Sequence, residues 1–463
     1  MIIEQLYTGC LAEAAYFIVS KGEAAVIDPL RETAPYLALA ERYKAKIKYV
    51  FETHFHADFV SGHVDLAQAT GASIVYGPTA RPSFDAYIAQ DQELFTLGDV
   101  RIKVIHTPGH TMESSCFLLI DETGKDYAVF TGDTLFLGDV GRPDLAVKSD
   151  LSQEDLAGML YDALRKRIMR LDDEVLVYPG HGQGSACGKN MSAETVGTIG
   201  EQKRNNYALR PNMTREEFIE EITTGLLPPP QYFSKNAVLN KTGYENIDEV
   251  MARGLKALGV AEFSRLRDEG ALILDTRPPD AFATGFIPGS LHIGLDGMFA
   301  VWVGTLVENL QQPILLITPE GREEETVMRL ARVGYDQTQG FLAGGLASWR
   351  IAGLALDQIP CLDAATFARQ YNENVFILDV RRPGEFDAIH VQGAINFPLD
   401  YLPAHLDQLD KNQPLYVHCA SGYRSMIAAS LLKRQEFRQV FNLSGGIQAL
   451  NTSPVPLAKA LLA

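Results

Sequence analysis

Short apolar runs bounded by turn residues dominate the first part of the chain. Phe17-Ile18-Val19, Ala24-Ala25-Val26-Ile27 and Ile47-Lys48-Tyr49-Val50-Phe51, with residues 98–105, 115–120, 126–130 and 174–178, are rich in β-branched and aromatic side chains and predict strands. The first two predict a hairpin across Lys21-Gly22-Glu23. Residues 35–43, 64–70 and 153–171 have apolar positions at helical spacing and predict helices packed on those strands. This pattern stops at Gly225-Leu226-Leu227-Pro228-Pro229-Pro230. Three consecutive prolines remove three amide donors, so this stretch is neither helix nor central strand but a rigid connection.

Past the connection the chain repeats itself. Asp275-Thr276-Arg277-Pro278-Pro279 and residues 282–289 return as Asp379-Val380-Arg381-Arg382-Pro383 and residues 386–393, and Gly344-Gly345-Leu346 returns as Gly445-Gly446-Ile447. In each copy an apolar run ends in D-x-R, and a later one runs straight into a loop and a helix. That order predicts α/β units with parallel sheets. The expected boundaries are 1–240, with the connection running to about 257, then 258–356 and 359–463.

Length and composition narrow the function classes. A chain of 463 residues holds two to four domains, and 46% hydrophobic with 21% charged residues is ordinary globular protein. A net charge of −17 argues against nucleic acid or an anionic membrane as a main partner. No apolar run is long enough to span a membrane, and the N-terminus lacks a basic, then apolar, leader. Five cysteines, Cys10, Cys116, Cys187, Cys361 and Cys419, without C-x-x-C pairing, predict free thiols and a cytoplasmic location.

The candidate chemistry sits where strands end. Thr53-His54-Phe55-His56-Ala57-Asp58-Phe59 sets two histidines one residue apart on a loop after a β-run, so both imidazoles can face one point. Taken alone, H-x-H-x-D also suits a polar turn. Thr107-Pro108-Gly109-His110-Thr111, Thr131-Gly132-Asp133-Thr134 and Tyr178-Pro179-Gly180-His181-Gly182 then each bring a His or Asp to a turn after another β-like run. In this order the four fragments resemble the metallo-β-lactamase fold superfamily, whose pattern is H-x-H-x-D-H, then His, Asp and His. The resemblance implies an αββα sandwich with metal at one edge, between two sheets. In its two-metal members a histidine follows the motif aspartate; here that residue is Phe59, which has no lone pair. The resemblance to the mononuclear branch therefore implies one metal per chain on His54, His110 and Asp133, with His56, Asp58 and His181 steadying the ligand rings and a bound water or oxygen. Two imidazoles and a carboxylate suit Fe(II) handling O2 and sulfur, and zinc activating water for thioester hydrolysis is the rival. The stretch 135–144 resembles a loop of persulfide dioxygenases, which implies that Arg142 contacts a substrate persulfide or carboxylate; a structural arginine in a Gly-Pro turn is the alternative. Cys187, between glycines after His181, reads equally as a sulfur acceptor and as a small buried thiol.

The second repeat carries Val417-His418-Cys419-Ala420-Ser421-Gly422-Tyr423-Arg424-Ser425 ahead of an apolar helix over 426–432. A cysteine there faces successive amide N–H groups, the helix N-terminus and Arg424, all of which favour a thiolate and an anionic sulfur group. C-x-x-G-x-R-S resembles the active loop of rhodaneses. That implies sulfur transfer with Cys419 as nucleophile, Arg424 beside it, and Ser421, Gly422 and Ser425 binding substrate. The first repeat offers Thr318, Glu323 and Glu324 at the Cys, Arg and Ser positions. It has no thiol, and its carboxylates repel an anion by a few tenths of a kcal/mol or more at about 6 Å. A metallo-β-lactamase-fold domain followed by an inactive and an active rhodanese-like α/β domain resembles bacterial persulfide dioxygenase–sulfurtransferase fusions. This implies oxidation of a small-molecule or protein persulfide with O2 to sulfite, and exchange with thiosulfate, in sulfide detoxification. The metal is then Fe(II), with zinc acquired on purification, and the chain is expected to form a homo-oligomer. The alternative is a zinc thioester hydrolase of the glyoxalase II kind with docking repeats.

Overall fold

A computed structural model describes residues 1–146, 151–226, 228–372 and 374–459. Leu227 of the proline stretch and the last four residues of the third expected domain lie outside the described residues. The chain forms two compact units, Met1–Ile247 together with Ala331–Gly334, and Asp248–Leu330 with Tyr335–Ala463.

The first unit contains two six-stranded sheets. One runs in chain order through Ile2–Thr8, Glu13–Ser20, Glu23–Ile27, Lys46–Glu52, Ser73–Tyr76 and Tyr87–Ile88. The other runs in reverse chain order from Gly197–Thr198 through Leu176–Pro179, Asp126–Gly132, Ser115–Ile120 and Val100–His106 to Leu94–Leu97. Tyr16, Ile18, Ile27 and Phe51 of the first sheet pack against Val104, Phe117, Leu119 and Phe130 of the second. The next residues along each strand face outward onto helices. Phe17, Val26 and Val50 meet the helices Ala34–Arg42 and His63–Thr70 through Tyr36 and Leu66. Cys116, Leu118 and Val177 meet Gln153–Lys166 through Ala157 and Leu160. Both faces of the central strands are buried, which explains why they are unbroken apolar runs rather than alternating ones. The result is the expected αββα sandwich. The helix expected over 153–171 ends at Lys166 and continues as a 3-10 turn, Ile168–Arg170. Past the proline stretch, the helix Phe233–Thr242 still belongs to this unit.

The second unit contains two five-stranded parallel sheets of the same topology. In strand order the first is Ala257–Leu258, Thr338–Leu342, Ile314–Ile317, Leu272–Asp275 and Leu291–His292. The second is Cys361–Leu362, Val440–Leu443, Leu415–His418, Phe376–Asp379 and Ile395–Asn396. In both copies the D-x-R arginine folds back on its own aspartate. Arg277 Nη2 donates to Asp275 Oδ2 at 2.6 Å and to the Gly285 carbonyl at 2.9 Å, and Arg381 Nη2 donates to Asp379 Oδ2 at 2.5 Å and to the Ile389 carbonyl at 2.6 Å. The motif is thus a staple between the end of a central strand and the segment that returns to the sheet. Among the described residues no helix is long and apolar enough to cross a membrane.

Candidate metal centre and thiol loop

His54, His110 and Asp133 come together at one edge of the sandwich, with one ligand atom from each within 4.8 Å of the others, and all three are buried. Hydrogen bonds behind the rings decide which nitrogen faces inward. His110 Nδ1 donates to the Arg142 carbonyl at 2.8 Å, since a carbonyl can only accept, and this turns Nε2 inward, 3.5 Å from Asp133 Oδ2. Asp28 sits at φ +49°, and its carboxylate accepts from Thr53 N at 2.7 Å and Thr53 Oγ1 at 2.8 Å. With its proton committed there, Thr53 Oγ1 accepts from His54 Nδ1 at 3.0 Å, so His54 also offers a bare Nε2. Burial pulls the His54 pKa down, and the neighbouring His56 adds to the shift, so its ring is neutral.

His181 lies behind the aspartate, with Nδ1 2.8 Å from Asp133 Oδ1 and Nε2 2.8 Å from Asp58 Oδ2. Both partners accept, so both ring nitrogens carry protons. Burial alone would lower the pKa of His181, but the two carboxylates outweigh it and hold it well above the ordinary histidine value. Burial would raise the pKa of Asp133, but the surrounding histidines, His181 first and then His110 and His54, together hold it well below the usual carboxylate range. Asp133 Oδ2 remains buried with no hydrogen-bond partner among the described residues. Two inward-facing imidazole nitrogens and one orphaned carboxylate oxygen are a donor set that fits a divalent cation.

The remaining expected residues divide. Asp58 and His181 join Asp133 in one chain of contacts. His56 turns away, its Nε2 3.1 Å from Asp28 Oδ1 and 3.5 Å from Glu52 Oε2, in a second buried group. Phe59 is fully buried, its ring 4.4 Å from that of His56. Arg142 is held within its own loop. Its guanidinium is engaged by Asp144 at 2.6 and 2.7 Å and by the Ala186 carbonyl at 3.2 Å, and the residue meets the site through its own carbonyl on His110. Cys187 lies with Asp58 and His181, and burial pushes its thiol pKa well up, with Asp58 and Asp133 adding to the shift.

Asn240 was not anticipated from the sequence. It stands on the helix Phe233–Thr242, fully buried, and its Nδ2 donates to the carbonyls of His56 and Phe59, each at 2.7 Å, while Oδ1 accepts from Ser61 N at 2.9 Å. One amide thus satisfies three main-chain groups of the histidine loop. A single asparagine on a polar stretch gives no sequence signal of this kind; only the unsatisfied loop amides and carbonyls demand it.

In the second unit Cys419 follows the strand Leu415–His418 directly and its thiol is buried. Gly422 N donates to Cys419 Sγ at 3.1 Å, and Ser425 Oγ donates to the Gly422 carbonyl at 3.1 Å, closing the loop at the start of the helix Tyr423–Arg434. Ser421 is exposed. Arg424 is paired with Glu385 through two bonds of 2.7 and 2.8 Å. Behind the loop, Ile447 N donates to the Cys419 carbonyl at 2.8 Å. A Cβ on Gly446 would lie 2.3 Å from that carbonyl, so the second glycine of G-G-I is what allows the approach. In the first repeat, Thr318 Oγ1 instead donates to Glu323 Oε1 at 3.1 Å.

Residues 8–181 match the metallo-beta-lactamase superfamily, and 260–352 and 363–453 each match the rhodanese-like domain. The mitochondrial persulfide dioxygenase of Homo sapiens is 30% identical over 211 residues, 45% of this chain and 74% of that protein. The cytoplasmic hydroxyacylglutathione hydrolase of Arabidopsis thaliana is 34% identical over 171 residues, 36% of this chain and 62% of that protein. Across four such hydrolases the chain spans 58–66% of their length. A crystal structure described as a metallo-beta-lactamase from Staphylococcus aureus aligns with TM-score 0.66 and 30% identity, over 74% of this chain and 98% of that one. With these matches and the αββα sandwich behind its histidine loop, the chain belongs to the metallo-β-lactamase superfamily, its metallo-β-lactamase domain being followed by two rhodanese-like domains.

Proposed function

We propose that the protein oxidises a thiol persulfide with O2 and transfers sulfane sulfur at Cys419. The observation that carries the first half is the donor set of His54, His110 and Asp133, with Phe59 following the motif aspartate. In two-metal relatives the place of Phe59 belongs to a histidine, and here an apolar ring fills it. A bound ferrous ion would supply a centre able to take O2 and a substrate sulfur together. The overall change is RSSH + O2 + H2O → RSH + SO3²⁻ + 2H⁺. The chain's own residues orient and exclude. The Arg142 carbonyl and Thr53 hydroxyl fix the two rings, His181 turns the Asp133 carboxylate so that Oδ2 faces inward, and Asn240 clamps the loop. The similarity to persulfide dioxygenases over 74% of their length supports this reading.

At Cys419 the thiolate attacks the outer sulfur of thiosulfate: Cys–S⁻ + S–SO3²⁻ → Cys–S–S⁻ + SO3²⁻. The sulfur–sulfur bond of thiosulfate breaks, its electron pair leaves with sulfite, and a persulfide remains on the enzyme. Arg424 and the loop amides offset the negative charge. The reverse reaction consumes sulfite made at the first centre, and joining both activities in one chain raises the local concentration of that shared product.

The second reading, zinc-dependent hydrolysis of a glutathione thioester, is favoured by the hydroxyacylglutathione hydrolases among the relatives. An oxygen electrode separates the two. With glutathione persulfide, the protein as purified and as reloaded with Fe(II) should consume O2 and release one sulfite per O2. Zinc-loaded protein that cleaves a hydroxyacylglutathione thioester and takes up no O2 overturns the first reading. Asp133→Ala should lose metal and O2 uptake while thiosulfate:cyanide exchange survives.

A further inference from the structure

The thiol loop leans on the repeat that has no thiol. Tyr423, the residue between Gly422 and Arg424, extends its hydroxyl to the Gly294 carbonyl of the first repeat and donates to it at 2.8 Å. Its ring lies on Gly294 and Gly297. A Cβ on Gly297 would fall 2.8 Å from Tyr423 Cζ, and one on Gly294 3.3 Å from Cε2. Counting from the equivalent edge-strand residues His292 and Asn396, the second repeat has Pro398 and Tyr401 at those two places. The bare surface is therefore a property of the first repeat alone.

That surface is itself held in place. Arg329, on the helix that follows the defunct loop, donates to the Leu295 carbonyl at 2.7 Å and to the Gly297 carbonyl at 3.0 Å. About two helical turns beyond Tyr423, Ser430 Oγ accepts from His292 N at 3.0 Å, so the helix Tyr423–Arg434 covers the edge strand Leu291–His292. The helix that begins at the thiol loop is thus fixed at two points along its length to the first repeat. The amide of Gly422, next in sequence to Tyr423, is the one that reaches Cys419 Sγ.

We propose that Tyr423 is a positioning residue through which the cysteine-less repeat sets the geometry of the Cys419 loop, with the Gly294–Gly297 segment as its seat. The first repeat is then a working part of the second repeat's site rather than a spacer. This rests on Cys419 being the sulfur-transfer nucleophile. Displacing the ring moves the Gly422 amide relative to Sγ, and a displacement of even a fraction of an ångström at a reacting group weakens both thiolate stabilisation and attack.

The test uses the full chain and two readouts. One is steady-state thiosulfate:cyanide exchange. The other is the pH dependence of iodoacetamide alkylation at Cys419, followed on its own peptide by mass spectrometry. Gly297→Ala and Tyr423→Ala should each lower kcat/KM by about tenfold and raise the alkylation midpoint, and the losses should not add in the double variant. Gly297 has φ +154°, so alanine there is strained in itself, and the double variant isolates the contact with the ring from that strain. Tyr423→Phe keeps the ring and gives a smaller shift in the same direction, and it carries the test if Gly297→Ala does not fold. Unmoved alkylation midpoints in folded variants, or losses that simply add, overturn the proposal. If the wild-type protein alkylates at Cys419 yet exchanges no sulfur, the sulfur-transfer reading fails instead, while the alkylation arm still decides whether Tyr423 positions the loop.

Discussion

The two rhodanese-like repeats share a skeleton and differ at four points around one loop. Both keep the D-x-R staple, the same strand order and a G-G turn with left-handed backbone. The second has Cys419 with the Gly422 amide on its sulfur, Arg424 paired with Glu385, and Gly446 pressed against the Cys419 carbonyl. The first has Thr318 bonded to Glu323, Ala281 at the position of Glu385, and Gly345 with open space where a Cβ would be. Arg and Glu of the ion pair are missing together. The difference separates signals that both sheets share from those that only the thiol loop has: the staple stands in both repeats, and the ion pair in one.

The comparison can be broken most sharply at the nucleophile. Cys419→Ser should lower thiosulfate:cyanide exchange by at least about a thousandfold, whereas Thr318→Ser leaves it unchanged. O2 uptake with free persulfide should be untouched in both, and residual exchange in the Cys419 variant would mean another thiol carries sulfur. Next are the staples. Asp275→Asn and Asp379→Asn each leave an arginine without its charged partner, and both should destabilise by about 3 kcal/mol in denaturant unfolding. A large loss in the second repeat alone would mean that the motif serves the site rather than the sheet. Glu385→Ala should lower exchange kcat/KM by about fivefold, because Arg424 loses the bidentate pair that orients it. A rise would mean that Glu385 screens Arg424 from its anion. The smallest effect expected is none: Thr318→Cys alone should add no exchange above a Cys419→Ser background, since Glu323 still stands where a cation is needed.

Much of this was legible in the sequence because strand ends carry the chemistry. H-x-H-x-D, the later His and Asp turns and C-x-x-G-x-R-S each follow an apolar run, so a strand prediction also places the reactive residue. Buried strands with helices on both sides read as continuous apolar runs, which made the first unit recognisable. What was not legible depends on partners remote in sequence. Asn240 lies 184 residues from His56, and nothing in a helical pattern marks which polar residue turns inward. The same applies to Tyr423, whose seat is set by two glycines in another repeat. The part the Arg142 carbonyl plays on His110 was not legible either, because a motif names a residue and not the atom it uses; a carbonyl has no side-chain signature.

Asn240 also bears on how the molecule can be divided. The superfamily match ends at residue 181, and a fragment trimmed to that limit would keep every histidine and aspartate of the donor set. It would still lack the amide that occupies the carbonyls of His56 and Phe59. Such a fragment would hold the right ligands on a slack loop. Weak metal retention by it would report on where the cut was made, not on the ligands themselves.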